Sequence, residues 1–187
     1  MKKIIAVLLC FMFAVLFCGC SNKTNKPQPK LNTNDIASDL AAGKITEAEF
    51  ALGTPVDTVK QKFDEQNEDG LEITQEKNGC STITIGEYNY VYSEEERADG
   101  ITAIYTFDTA YGFTVGSSSS FTDVVPAFDK AFNLTETSKS VIPTEDDAFF
   151  VPGGLPSGAQ MVVYSNEKCT LKCFFISDFL FAVILTK

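Results

Sequence analysis

The chain reads as an α+β protein made of two copies of one unit, a helix followed by three or four antiparallel strands. Three observations predict this. A capped helical segment near Thr54–Phe63 gives way to strands of period two, where Ile83 and Ile85 alternate with threonines and Tyr88, Tyr90 and Tyr92 recur at every other residue. A second apolar segment, Val124-Val125-Pro126-Ala127-Phe128-Asp129, lines up with Val59-Lys60-Gln61-Lys62-Phe63-Asp64. Strands then follow again, with Val163-Tyr164-Ser165 matching Val91-Tyr92-Ser93 and a strand ending at Asp178 matching one ending at Asp108. Such strands bury their apolar side only when a helix covers it. The expected division is a signal peptide over 1–19, a lipidated tether over 20–34, a first repeat over 35–115 and a second over 116–187.

The N-terminus carries the clearest address. Met1-Lys2-Lys3 precedes an apolar run from Ile4 to Phe17, then Cys18-Gly19-Cys20-Ser21-Asn22. That run is too short for a ~30 Å hydrocarbon core, which takes about 20 residues, and it fits the apolar region of a signal peptide. The window Phe17-Cys18-Gly19-Cys20 resembles a lipobox, with Phe where Leu is usual. Cys20 is therefore the expected attachment point of a diacylglycerol-type lipid, placing the protein on the outer face of the cell membrane. One acyl chain holds a protein only marginally, and two or more hold it stably. Ser21 to about Asn34, with Lys23, Lys26, Lys30, Pro27 and Pro29 and no aromatic residue, is expected to be a tether.

Within the domain, a short helix is expected over Asp35–Ala42, capped by Thr33 or Asn34 and ended by Gly43. Ile45 to Phe50 suits a short edge strand. For the next helix, Thr54 is the expected N-cap, Pro55 the first helical residue and Asp57 the acid of a capping box. The loop Ser93–Gly100 is expected to join two strands as a hairpin. Strands are also expected at Ile101–Phe107 and Tyr111–Val115. Pro126 either stays in the first turn of a helix starting near Thr122 or kinks it. The final strand, Phe179 to Lys187, is apolar on both faces and should be central or covered.

Gly43-Lys44, then Phe50-Ala51-Leu52-Gly53-Thr54 before a helix, then Val59 and Phe63 and a meander that recurs, resemble a family of uncharacterised exported Gram-positive lipoproteins. More distantly they resemble the tandem helix-plus-sheet architecture of β-lactamase inhibitory protein and of small outer-membrane-assembly lipoproteins. The resemblance implies the fold, and protein binding by analogy. Those families place Gly after the helix-ending aromatic or Leu, where Asp64 and Asp129 are read here.

Composition narrows the chemistry. From Leu31 onward 25 carboxylates stand against 10 lysines and arginines, a formal charge of −15. Such a surface repels phosphate backbones, so nucleic acid is not an expected partner. The chain contains no histidine, which removes Ser-His-Asp catalysis and imidazole metal sites. Gly116-Ser117-Ser118-Ser119-Ser120 lacks the second Gly and the Lys of a phosphate loop. Glu94-Glu95-Glu96 and Glu145-Asp146-Asp147 read as solvated loop charge or, alternatively, as loose divalent sites. No cofactor, metal or catalytic residue is expected, and the protein is not expected to be an enzyme.

After processing, Cys80, Cys169 and Cys173 remain. Cys169 and Cys173, four apart on a strand, stand ~13 Å from each other and cannot bond. Cys80 pairs with one of them, or all three are small buried hydrophobes. Two clusters are candidates for binding an envelope partner or ligand. Tyr88, Tyr90 and Tyr92 are either an exposed recognition stripe or the face under the helix. Phe149 and Phe150, beside Val151-Pro152-Gly153-Gly154, are either a recognition loop or a cap on the second sheet.

Overall fold

The computed structural model describes residues 33–66, 79–116, 118–144, 146–147 and 154–187. The expected signal peptide, Cys20 and the tether lie outside the described residues, as do Phe149 and Phe150. The elements are α1 (Thr33–Ala41), α2 (Val56–Gln66), β1 (Cys80–Ile85), β2 (Tyr88–Ser93), β3 (Ala103–Thr106), β4 (Thr109–Ala110), β5 (Phe113–Thr114), α3 (Phe121–Ala131), β6 (Gln160–Ser165), β7 (Thr170–Ile176) and β8 (Phe179–Thr186), with a 3-10 turn at Arg97–Asp99. Six strands form one sheet in the order β1-β2-β3-β8-β7-β6, and β4 and β5 form a separate hairpin. Every pairing is antiparallel. The α+β class and the two helices expected near 55–65 and 121–132 are therefore present.

Alternation sorts the strand side chains onto two faces. One carries Ile83, Ile85, Tyr90, Tyr92, Ile104, Val162, Tyr164, Leu171, Cys173, Phe175, Val183 and Leu185, packed with Ile36 and Leu40 of α1, Val56 and Val59 of α2, and Val124, Val125 and Phe128 of α3. The other carries Val91, Ala103, Tyr105, Met161, Phe174, Ala182 and Ile184. β8 is central, paired with β3 on one side and β7 on the other, which is why its sequence is apolar on both faces. A bulge between Phe174 and Phe175 lets Leu180 follow Ala182 in register.

The helix ends follow local chemistry. After α1, Lys44 N–H donates to Asp39 and Gly43 N–H to Leu40, with Gly43 at φ 66°. After α3, Leu134 N–H donates to Asp129 and Asn133 N–H to Lys130, with Asn133 at φ 55°. Both are Schellman closures. The left-handed position after the second helix is thus Asn133, following Phe132, and not Asp129.

Three expectations need correction, and of the two placements open to Pro126 the first-turn one is not taken. Ile45–Phe50 is not a strand: Leu52 N–H closes back on the Gly43 carbonyl, and Glu49 and Phe50 N–H both donate to the Tyr90 hydroxyl. Those bonds bend the segment inward, burying Ile45 and Ala48. Thr54 does not cap through its side chain as expected, because its hydroxyl donates to the Ala51 carbonyl while Asp57 pairs with Arg97 at 2.7 Å. Tyr111–Val115 is only partly a strand: Tyr111 and Gly112, both at positive φ, form the tight turn between β4 and β5. Pro126 is the sixth residue of α3, past the first turn. Thr122, whose carbonyl loses its helical donor there, is exposed, so water can take the bond.

All three described cysteines are free. Cys80 is on β1 and Cys173 on β7, four strand spacings or about 19 Å across the sheet. Cys169 and Cys173 are buried in the helix-side core, and burial pushes both thiols up from their ordinary range.

Candidate functional site

The tyrosine stripe lies under α2. Tyr90 and Tyr92 are fully buried, and Tyr88 is half-buried. Each hydroxyl has an internal partner. Tyr88 donates to the Thr109 carbonyl at 2.7 Å, Tyr90 accepts from Glu49 N–H at 3.1 Å, and Tyr92 donates to Glu94 Oε1 at 2.8 Å. Burial raises the Tyr88 and Tyr90 phenols above their usual value. Of the two placements open to it, the stripe takes the one beneath the helix, where its hydroxyls tie down the segment 49–50, the β4–β5 hairpin and the end of β2.

Around the rim of Tyr92 the charges are already engaged. Lys60 Nζ lies 5.2 Å and Arg97 Cζ 5.9 Å from its ring centre. Glu94 accepts from Tyr92 and Ser81, and these bonds hold its carboxyl below the usual carboxylate range. A second carboxylate, Glu47, accepts from Tyr111 N–H at 2.8 Å and Gly112 N–H at 2.5 Å, fastening the β4–β5 turn to the segment after α1. Tyr111, buried and raised for that reason, donates to the Lys44 carbonyl. These contacts are structural fastenings.

The exposed apolar surface lies elsewhere. Between α3 and β6 the chain forms a strap along the outer side of β6. Ser138 N–H donates to Asp129 Oδ2 at 3.1 Å, and Val141 exchanges two backbone hydrogen bonds with Met161 at 2.8 and 2.9 Å. Thr144 donates through N–H and hydroxyl to Asp147 Oδ2, while Asp147 Oδ1 accepts from Lys172 at 2.6 Å. Burial works against ionisation of Asp147, but the bonds from Lys172 and Thr144 outweigh it and hold its carboxyl low. Pinned in this way, the strap leaves Ile142 87% exposed and Val141 50% exposed, with Val163 on β6 at 41%.

Sequence reasoning passed over Val141-Ile142. The available signal was an apolar pair inside the polar run Thr135–Asp147. Beneath the strap, Asp129 is buried with Oδ1 unpartnered among the described residues. Next to it Tyr164 donates to the Val125 carbonyl at 3.3 Å and stacks on Phe132 at 5.1 Å. Of the two expected binding clusters, the tyrosine stripe is on the helix-covered face, and Phe149 and Phe150 are outside the described residues.

Among the described residues no group of three or more His, Cys, Asp or Glu side chains could hold a metal ion. No described helix is long and apolar enough to cross a membrane. The fold and surface define an antiparallel sheet with three helices on one face. Set against protein-family models, curated proteins and solved structures, the chain matches none of them.

Proposed function

We propose that this protein is a membrane-anchored extracytoplasmic lipoprotein that acts as a non-catalytic binding module for an envelope protein or ligand. The anchor rests on the sequence from Met1 to Cys20. The binding role rests on one observation, the exposure of Ile142 on a strap pinned at Ser138, Val141 and Asp147. A large apolar side chain held out in a fixed geometry loses little conformational freedom when a partner covers it, which favours affinity. The test is crosslinking capture from membranes with Ile142→Asp. Capture should fall several-fold with thermal unfolding unchanged, and equal capture by variant and wild type would refute the role. For the anchor, Cys20→Ala should abolish labelling with a radioactive fatty acid; undiminished labelling would remove Cys20 as the site.

A second reading, an envelope-assembly or stress lipoprotein with a structural role, is favoured by the covered tyrosine stripe. Each of its three hydroxyls makes an internal bond.

The same proposal treats the halves as copies of one unit. The sheet order supports it, because β1-β2-β3 and β6-β7-β8 each follow a helix and meet at their last strands, β3 and β8. That order equates β6 with β1. The sequence match of Val163-Tyr164-Ser165 to Val91-Tyr92-Ser93 equates β6 with β2, so the two lines of support disagree on register. Strand order is the better guide, since short alternating strands match by chance more readily than a topology does. Superposing α2-β1-β2-β3 on α3-β6-β7-β8 tests it; failure of the strands to align would end the duplication.

A further inference from the structure

We propose that the outer edge of β1 is a strand-addition site for an extended peptide segment carrying lysine or arginine. The proposal is independent of the strap surface, which lies at the opposite edge of the sheet. Glu94 N–H donates to the Gly79 carbonyl, so Gly79, Ser81, Ile83 and Ile85 direct their backbone groups at β2. Strand alternation then turns the N–H and C=O groups of Cys80, Thr82 and Thr84 outward. Among the described residues they have no partner strand, since β1 ends the sheet.

Sheet edges are normally blunted by charge, proline, a bulge or a covering segment. β1, Cys80-Ser-Thr-Ile-Thr-Ile, has no charge and no proline, and it keeps an unbroken register with β2. At the far edge the strap does the covering. Among the described residues nothing covers this strand, and its edge offers three donor–acceptor pairs in a row, the requirement for β-augmentation.

Charge selects the occupant. Glu87 stands in the turn at one end of β1, Glu94 to Glu96 follow β2 at the other, and Asp64 and Glu65 end the helix packed on β1; all six are exposed. Among the described residues the bases nearby are engaged, Arg97 with Asp57, Lys62 with Glu49 and Lys60 over the Tyr92 ring. A second copy of this acidic chain would bring the same carboxylates against these and be repelled. A segment alternating Lys or Arg with small residues would pair its backbone with β1 and its cations with the flanking acids.

The test uses the mature chain with the blocked peptide (Lys-Thr)4, and (Glu-Thr)4 as the charge-reversed probe. Amide exchange should slow at Cys80, Thr82 and Thr84 on adding (Lys-Thr)4, with Val163 and Ser165 unchanged. Thr82→Pro removes one outward N–H and should weaken the peptide about tenfold, the equivalent of roughly 1.4 kcal/mol. If that variant fails to fold, the exchange measurement on the wild-type chain still decides. No slowing at saturating (Lys-Thr)4, or equal slowing with (Glu-Thr)4, overturns the proposal. So does protection of the same three amides by self-association in the absence of peptide.

Discussion

The two outer strands of the sheet meet solvent in opposite ways. β6 is flanked by the strap, which bonds to it at Met161 and is fastened through Asp129 and Asp147. Among the described residues β1 has no such companion. Its security comes from beneath, where Ile83 and Ile85 pack with α2 and the tyrosine hydroxyls of β2 tie the neighbouring loops down. The half that ends in β6 is closed at its edge and packed with aromatic rings. The half that ends in β1 is held by hydrogen bonds and close backbone contacts, and among the described residues its edge stays open. Among those residues edge protection is a local device, added on one side.

The sharpest way to break the contrast is at Phe128, the hub of a ring cluster that joins α3 to the β4–β5 hairpin and β6. Its ring meets Tyr111 at 5.4 Å, Phe113 at 5.9 Å and Tyr164 at 5.6 Å, and it is fully buried. Phe128→Ala should cost about 3–5 kcal/mol, read by denaturant unfolding. A loss below ~1.5 kcal/mol would show that the ring cluster does not hold α3 in place.

Gly100 is the corresponding point in the other half. It sits at φ 69°, and a Cβ there would lie 2.5 Å from the Thr54 carbonyl oxygen and 2.7 Å from that of Gly53. The flanking bonds, Gly53 N–H to Ile101 and Ile101 N–H to Thr54, hold those backbones together. Gly100→Ala should cost about 3 kcal/mol through backbone strain and overpacking. A neutral substitution would mean that this close approach is not maintained.

Smaller effects sharpen the comparison. Val141→Pro removes the N–H that donates to Met161 and should cost about 1 kcal/mol, with faster exchange of the Met161 amide. Unchanged exchange at Met161 would show that the strap does not protect the β6 edge.

Tyr90→Phe removes the acceptor of Glu49 N–H and should also cost about 1 kcal/mol near neutral pH. Its pH signature follows from burial, which raises the folded-state phenol above its unfolded value. That contribution is fully present below the ordinary tyrosine value of about 10 and is lost as pH rises through the folded value. Stability should therefore fall less steeply above pH ~10 in Tyr90→Phe than in wild type. Equal slopes would take Tyr90 out of the alkaline transition.

Much of the fold was legible along the chain because its signals are local. α2 and α3 announce themselves by apolar spacing, the central position of β8 by its two apolar faces, and the β2–β3 hairpin by the loop that ends on Asp99-Gly100. The errors fall where a distant group wins a local contest. Ile45–Phe50 alternates well enough for a strand, but the Tyr90 hydroxyl, forty residues on, takes its amides. Asp57 has capping-box spacing, yet it pairs with Arg97, forty residues on.

The candidate surfaces were less legible than the fold. Alternation shows that Tyr88, Tyr90 and Tyr92 share a face, but both faces of a strand have the same period, so it cannot show which one a helix covers. The apolar pair Val141-Ile142 stands out in its polar run, but the sequence does not say whether it is buried or exposed. The sequence by itself determined the acidic charge, the lack of imidazole chemistry, the helical segments and most strands, since each depends on residue type and near-neighbour spacing. Strand order, the side on which the tyrosines lie, the strap over β6 and the open edge at β1 were decided only by the tertiary structure, because each is a competition between groups far apart in the chain.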